Sequence, residues 1–247
     1  MKSIKVLGVL VIGLAVGILS LAVASRESWA APFSAARIIF EVNATAGDAG
    51  IQVFLDGEPW KNVKIFRPDG VQIFKVQAMG NLEEFGLTEL FSESNEPPFD
   101  ELSLEEVLEM FPEGKYKFEG TTVEGGMLKS TATLDHDLPC GPVIVSPGVL
   151  DPNMAMIEWN DVTNALDPET GECGESTDVD IVAYQVIVEQ QNPQTPPLVF
   201  SVFIPAGTTE VTVPQEFLAA GTDWKFEVLA IEASGNQTIS ESTFETN

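Results

Sequence analysis

Gly221-Thr222-Asp223-Trp224-Lys225-Phe226-Glu227-Val228-Leu229-Ala230-Ile231-Glu232, closed by Gly235-Asn236, is the stretch on which the reading of this chain turns. Trp224, Phe226, Val228 and Ala230 recur at every second position. Lys225 and Glu227 take the opposite face before Leu229 and Ile231 make that face apolar too. Strand side chains return to one side of a sheet every two residues, so this is a strand with one buried face and one partly covered face. Glu216 to Thr222 leads into it as an apolar run that ends on the turn residue Gly221.

Upstream, Ile181 to Gln190 places Tyr184, Val186 and Val188 at the same spacing. Leu198 to Ile204 and Glu210 to Val213 read as two further strands, and Gln237 to Phe244 as the last. Met156, Glu158 and Asn160 alternate with Ala155, Ile157 and Trp159. Gly141 to Pro147 is a proline-marked edge strand. These residues together, about 141–246, resemble a fibronectin type III domain, with Trp159 in the position of that family's core tryptophan. The resemblance implies a two-layer β-sandwich and an extracellular binding or spacer role. The family places a tyrosine where Trp224 stands, and an indole N–H can donate a bond like that of the phenol. The loop from Asn160 to Asp180 is much longer than an ordinary connection and strongly acidic.

The region 35–139 reads as an antiparallel β-sandwich with one short helix, of no assigned family. Ile38, Phe40, Val42 and Ala44 alternate with Ile39, Glu41, Asn43 and Thr45. A strand over Ile51 to Leu55 is expected to end at the turn Asp56-Gly57-Glu58-Pro59, with Trp60 to Phe66 as the next strand. Arg67-Pro68-Asp69-Gly70 has turn chemistry and returns through Val71 to Val76. Gly86 to Glu93 is a candidate strand. Ser103 and Glu106 have capping-box spacing before Leu104, Val107, Leu108 and Phe111, which share one helical face. Tyr116 to Val123 and Met127 to Leu134 form a hairpin across Glu124-Gly125-Gly126.

Residues 1–30 have the form of a secretory signal peptide. Lys2 and Lys5 precede the apolar run Val6 to Ala24, and small-residue cleavage sites end at Ala24 and Ala30. The run is also close to the length of a membrane anchor, about 20 residues. No later segment is long and apolar enough to span a bilayer once the leader is removed, and the expected location is secreted or periplasmic. The formal net charge of −26 disfavours nucleic acid, because phosphates repel such a surface.

Export permits a disulfide between Cys140 and Cys173. The type III resemblance places them at one pole: Cys140 begins the first strand and Cys173 lies in the loop after the second. The chain has one histidine, His136, between Asp135 and Asp137, read as a solvated strand terminus. Glu93, Glu96, Asp100 and Glu101 crowd a proline-bound loop, and paired carboxylates are what glycoside hydrolysis needs. Glu41, Asn43, Asp48 and Asp56 are candidate calcium ligands, since that ion takes six to eight oxygens. Trp60 and Trp29 are candidate sugar platforms, with a packing role favoured for Trp60.

The expected function is an exported, non-enzymatic binding, adhesion or spacer protein whose partner is a protein or polysaccharide at the cell surface. It needs no cofactor and has no catalytic residue. The alternatives are a calcium-stabilised carbohydrate-binding accessory module and an acid-pair glycoside hydrolase.

Overall fold

The computed structural model describes residues 30–146, 148–192 and 196–246. The leader and Trp29 lie outside them. No helix among the described residues is long and apolar enough to cross a membrane.

The chain is mainly β. β1 (Ala35–Asn43) pairs antiparallel with β2 (Asp48–Phe66) from Ala35↔Asp56 to Asn43↔Asp48. The turn expected at Asp56–Pro59 is not a turn. β2 runs through it as one strand, and its register shifts between Asp56 and Trp60 against β4 (Leu87–Glu93) and between Trp60 and Asn62 against β5 (Gly114–Thr122). The bulge moves the inward positions from Ile51, Val53 and Leu55 to Trp60, Val63 and Ile65, so both halves keep an apolar face on one core. Gly57 lies under Phe33, and a Cβ there would stand 3.0 Å from the ring.

The first half of β2 lies between β1 and β4 (Leu87–Glu93). The second half lies between β3 (Gln72–Gln77) and β5 (Gly114–Thr122), which continues into β6 (Met127–Leu134). A short helix not foreseen from the pattern, α1 (Asn81–Phe85), precedes β4 and buries none of its residues. α2 (Leu104–Met110) starts with the expected capping box: Ser103 Oγ accepts from Glu106 N–H and the Glu106 carboxylate accepts from Ser103 N–H. Its Leu104, Val107 and Leu108 join the first core, with Trp60, Phe40, Tyr116 and Phe118. His136 is not a free strand terminus. Its ring packs edge-on against Phe40 with centroids 5.5 Å apart, and its Nε2 meets the Phe111 carbonyl oxygen at 3.0 Å.

The second core is built from β9 (Ile181–Gln190), β12 (Asp223–Glu232), β13 (Gln237–Thr246) and β10 (Val199–Pro205), in spatial order β10-β9-β12-β13. Facing them is a smaller layer of β8 (Met156–Glu158) and β11 (Glu210–Thr212), with Ile144 bridged to Trp159. The entering strand then switches sheets, and β7 (Val149–Leu150) pairs parallel with the end of β13. A four-strand layer opposed by a layer reached through the first, second and fifth strands is the type III order, so this half is a fibronectin type III-like sandwich. Trp159 is 2 % exposed and packs on Tyr184. The indole N–H of Trp224 donates to Thr246 Oγ1 at 3.3 Å, a side-chain partner on β13 rather than a backbone group.

The two cores share one sheet. β1 pairs parallel with β13 through Glu41↔Gln237, Val42↔Thr238 and Asn43↔Ile239. Val42 faces the first core, and Thr238 lies on the face of Ala230 that lines the second, so both cores sit on the same side of this sheet. The opposite side is one face running across both sandwiches.

Cys140 and Cys173 form a disulfide with their Cα atoms 5.1 Å apart. The long acidic loop folds back on this bond. Leu166 bridges to Cys173, Leu166 N–H donates to the Leu138 carbonyl, and the Leu166 side chain enters the first core.

Candidate functional site

On the outer face, strand alternation brings up Arg37, Ile39, Glu41 and Asn43 from β1, because Ile38, Phe40 and Val42 are committed to the core. Gln52 and Phe54 of β2, Phe91 and Glu93 of β4, Gln237 of β13, Gln185 of β9 and Phe203 of β10 share that face through the sheet registers. Two features result, side by side at the junction of the sandwiches.

The first is a groove of about 270 Å³, lined from one sandwich by Arg37, Gln52 and Phe91 and from the other by Gln185, Gln237 and Phe203. Phe91 is 59 % exposed and Phe203 64 %. Arg37 stands 4.8 Å over the ring of Phe54, a cation–π contact that holds its head on the sheet.

The second is a group of carboxyls. Oxygens of Glu41, Glu93 and Glu96 lie within 4.8 Å of one another. Register explains the meeting: Glu41 is opposite Gly50, and Glu96 lies over that glycine, where a Cβ would come within 2.7 Å of the Glu96 Cγ. The Gln237 amide donates to Glu41, and the Gln52 amide donates to Glu93 at 2.9 Å. Glu41 is only 8 % exposed. Burial pushes its carboxyl up to about 7, with Glu96, Glu93 and Glu227 adding repulsion and the Gln237 bond pulling the other way. Glu96 is likewise pushed up to about 7, first by burial and then by Glu93 and Asp48. Asp48 is raised by burial and by Glu241. Near neutral pH, Glu41 and Glu96 are therefore partly protonated.

The four predicted calcium ligands do not converge on one point. Asn43 Oδ1 already accepts from the backbone N–H groups of Thr45 and Ala46, both at 3.0 Å, and its Nδ2 donates to Glu241. Asp48 faces Asn43, with its Oδ1 buried and unpartnered. Asp56 pairs with Ala35, six residues along the strand from the partner of Glu41 and so about 20 Å away. Glu41 keeps company with Glu93 and Glu96 instead, two residues that the sequence pointed to only as members of a crowded loop. Asp100 and Glu101 are outside that trio, and the trio is outside the groove lining. Trp60 is fully buried in the first core and offers no platform.

Asn236 was legible only as a turn residue. It is 1 % exposed. Its Oδ1 accepts from Phe40 N–H at 2.9 Å, and its Nδ2 donates to the Asp135 side chain at 2.9 Å and to the carbonyls of Asp135 and Asp137. One amide thus ties the β12–β13 turn to β1 and to the segment that joins the sandwiches. No local sequence signal distinguishes such a tie from an ordinary turn asparagine.

No family model matches the chain, and no curated protein matches it. Among solved structures, the chain is similar to a two fibronectin type III domain segment of chicken tenascin. The identity is 10 % over 87 % of this chain and 99 % of that one, with a TM-score of 0.31. It is also similar to the FN1–FN3 domains of chicken CNTN1, at 12 % identity over 88 % of this chain and 65 % of that one, again with a TM-score of 0.31. Those superpositions are loose, and the type III-like character of the second sandwich rests on its own strand order.

Proposed function

We propose that the chain is an exported, non-enzymatic binding module of the cell envelope or extracellular space, with the shared outer sheet face as its working surface. The observation that carries this reading is the groove at the junction. Both sandwiches build it, and each contributes one exposed phenylalanine, Phe91 and Phe203. Exposed aromatics gathered at a concave place on a rigid sheet mark a contact surface rather than ordinary solvent-facing positions. The leader pattern and the disulfide support an oxidising location.

A second reading, recognition of polysaccharide, is favoured by the side-chain chemistry. Aromatic rings offer flat apolar faces, and the amides of Gln52, Gln185 and Gln237 offer donors and acceptors suited to hydroxyls. The test is affinity electrophoresis against neutral and acidic polysaccharides, with immobilised envelope proteins as the parallel arm. Changing Phe91→Ala and Phe203→Ala together is expected to weaken the retained ligand by tenfold or more without lowering the melting temperature, since both rings are exposed. Binding that is unchanged in the double variant would place the working surface elsewhere.

A further inference from the structure

Edge strands expose a row of unpaired backbone groups, and proteins usually guard them with charge. Three edges of the large sheet follow this rule: β3 carries Lys75, β4 carries Glu89 and Glu93, and β6 carries Lys129. A fourth, β7, is only two residues long and so offers little to pair with. The fifth, β10, has neither protection. Val199-Phe200-Ser201-Val202-Phe203-Ile204 has no charge at all in a chain of net charge −26, and among the described residues β10 pairs with β9 alone.

The register tells which backbone groups are free. Ala206 N–H donates to the Val182 carbonyl, directly continuing the pairing that ends at Pro205↔Ala183. In an antiparallel pair only alternate residues exchange bonds with the partner, so the even-numbered residues of β10 bond to β9. Val199, Ser201 and Phe203 therefore aim their N–H and C=O groups outward from the edge. Their side chains all stand on the outer face and are exposed.

The strand is also complementary to itself. An antiparallel pairing with its two-fold axis at Ser201 sets Val199 opposite Phe203, Phe200 opposite Val202, and Ser201 opposite its own copy. Every flanking pair is aromatic against β-branched, a favourable cross-strand combination, and no like charges meet. All three outward-aimed residues fall at hydrogen-bonding positions of that pairing, giving about six backbone bonds. Pro205, which lacks an N–H, ends the pairing at both sides.

We propose that β10 is the contact by which two copies of this chain join edge to edge, extending the shared sheet across a two-fold axis. Repulsion between two acidic copies opposes the contact, so added salt strengthens it. Sedimentation equilibrium of the purified protein is expected to show a dimer whose affinity rises at least several-fold between about 0.05 and about 0.5 M salt. Ser201→Lys sets two ammonium groups against each other at the axis and is expected to give a monomer with an unchanged melting temperature. Ser201→Cys is expected to cross-link two copies on mild oxidation, whereas Glu124→Cys, in an exposed hairpin turn, does not. A monomer at every concentration and salt, or a dimer that survives Ser201→Lys, overturns the assignment.

Discussion

Replacing Cys140 and Cys173 together with alanine is expected to lower the unfolding free energy by about 3–4 kcal/mol, the chain-entropy value for a loop of this size. The bond joins cysteines 33 residues apart, and the closed segment takes in the acidic loop from Asn160 as far as Cys173. Without it, the loop is held by a few backbone bonds around Ala165 to Gly174 and by the insertion of Leu166 into the first core. The loss should therefore be regional as well as global. Amide exchange should accelerate across the loop, including at Leu166, whose N–H donates to the Leu138 carbonyl, while β12 stays protected to the global limit. Denaturant titration of parent and variant measures the first part. A difference under about 1 kcal/mol would mean that the loop keeps its place without the bond, against the chain-entropy estimate.

The second large effect concerns Glu41. Its carboxyl titrates near 4.5 in the unfolded chain and is pushed up to about 7 in the folded one, mainly by burial. The folded state then binds more protons than the unfolded state between those values, so the contribution of Glu41 is fully present below about pH 4.5 and is lost as pH rises through about 7. The surroundings make this a property of the site: Glu93 and Glu96 from the β4 side, Asp48 from β2, and Glu227 and Glu241 from the second sandwich. Lys225 of the second sandwich is already bonded to Glu227 at 2.9 Å and Glu241 at 3.1 Å. Glu41→Gln, with the Gln237 amide flipped to match, is expected to leave stability unchanged at pH 4 and to raise it by about 1–3 kcal/mol at pH 8. The measurement is the difference between variant and parent across that range. A difference independent of pH would show that Glu41 ionises normally. Millimolar calcium at pH 8 belongs in the same experiment, because a divalent cation relieves the same repulsion.

Much of the fold was open to sequence reasoning because it is written in local periods. The Trp224 to Ile231 alternation, the Ser103 capping box and the Arg67–Gly70 turn each depend on neighbours within a few residues, and each formed as expected. The disulfide followed from type III topology, which brings Cys140 and the long loop to one pole. The error at Asp56–Pro59 had a physical source. Aspartate, glycine and proline in one tetrapeptide signal a turn, but the same residues suit a bulge, where a missing N–H and a missing Cβ are both tolerated. Only the partners on either side of β2 decide between the two.

The candidate site was much less legible. Glu41 and Glu93 are 52 positions apart and meet through a register, while Glu41 and Gln237 meet through a parallel pair between the two sandwiches. Neither pairing leaves a periodic trace in either segment. The groove has the same origin, since Phe91 and Phe203 belong to different sandwiches and share a face only because β1 and β13 join the sheets.

That join has a geometric consequence: the two sandwiches are expected to move as one body, fixed by β1–β13 pairing and by the buried Asn236 amide. Double electron–electron resonance between nitroxides on Lys75→Cys in the first sandwich and Glu210→Cys in the second tests it most directly. A single narrow distance distribution is expected in the parent background, broadened by Asn236→Ala, which strands the Phe40 N–H and removes the tie to Asp135 and Asp137. A broad or multimodal distribution in the parent background would contradict it.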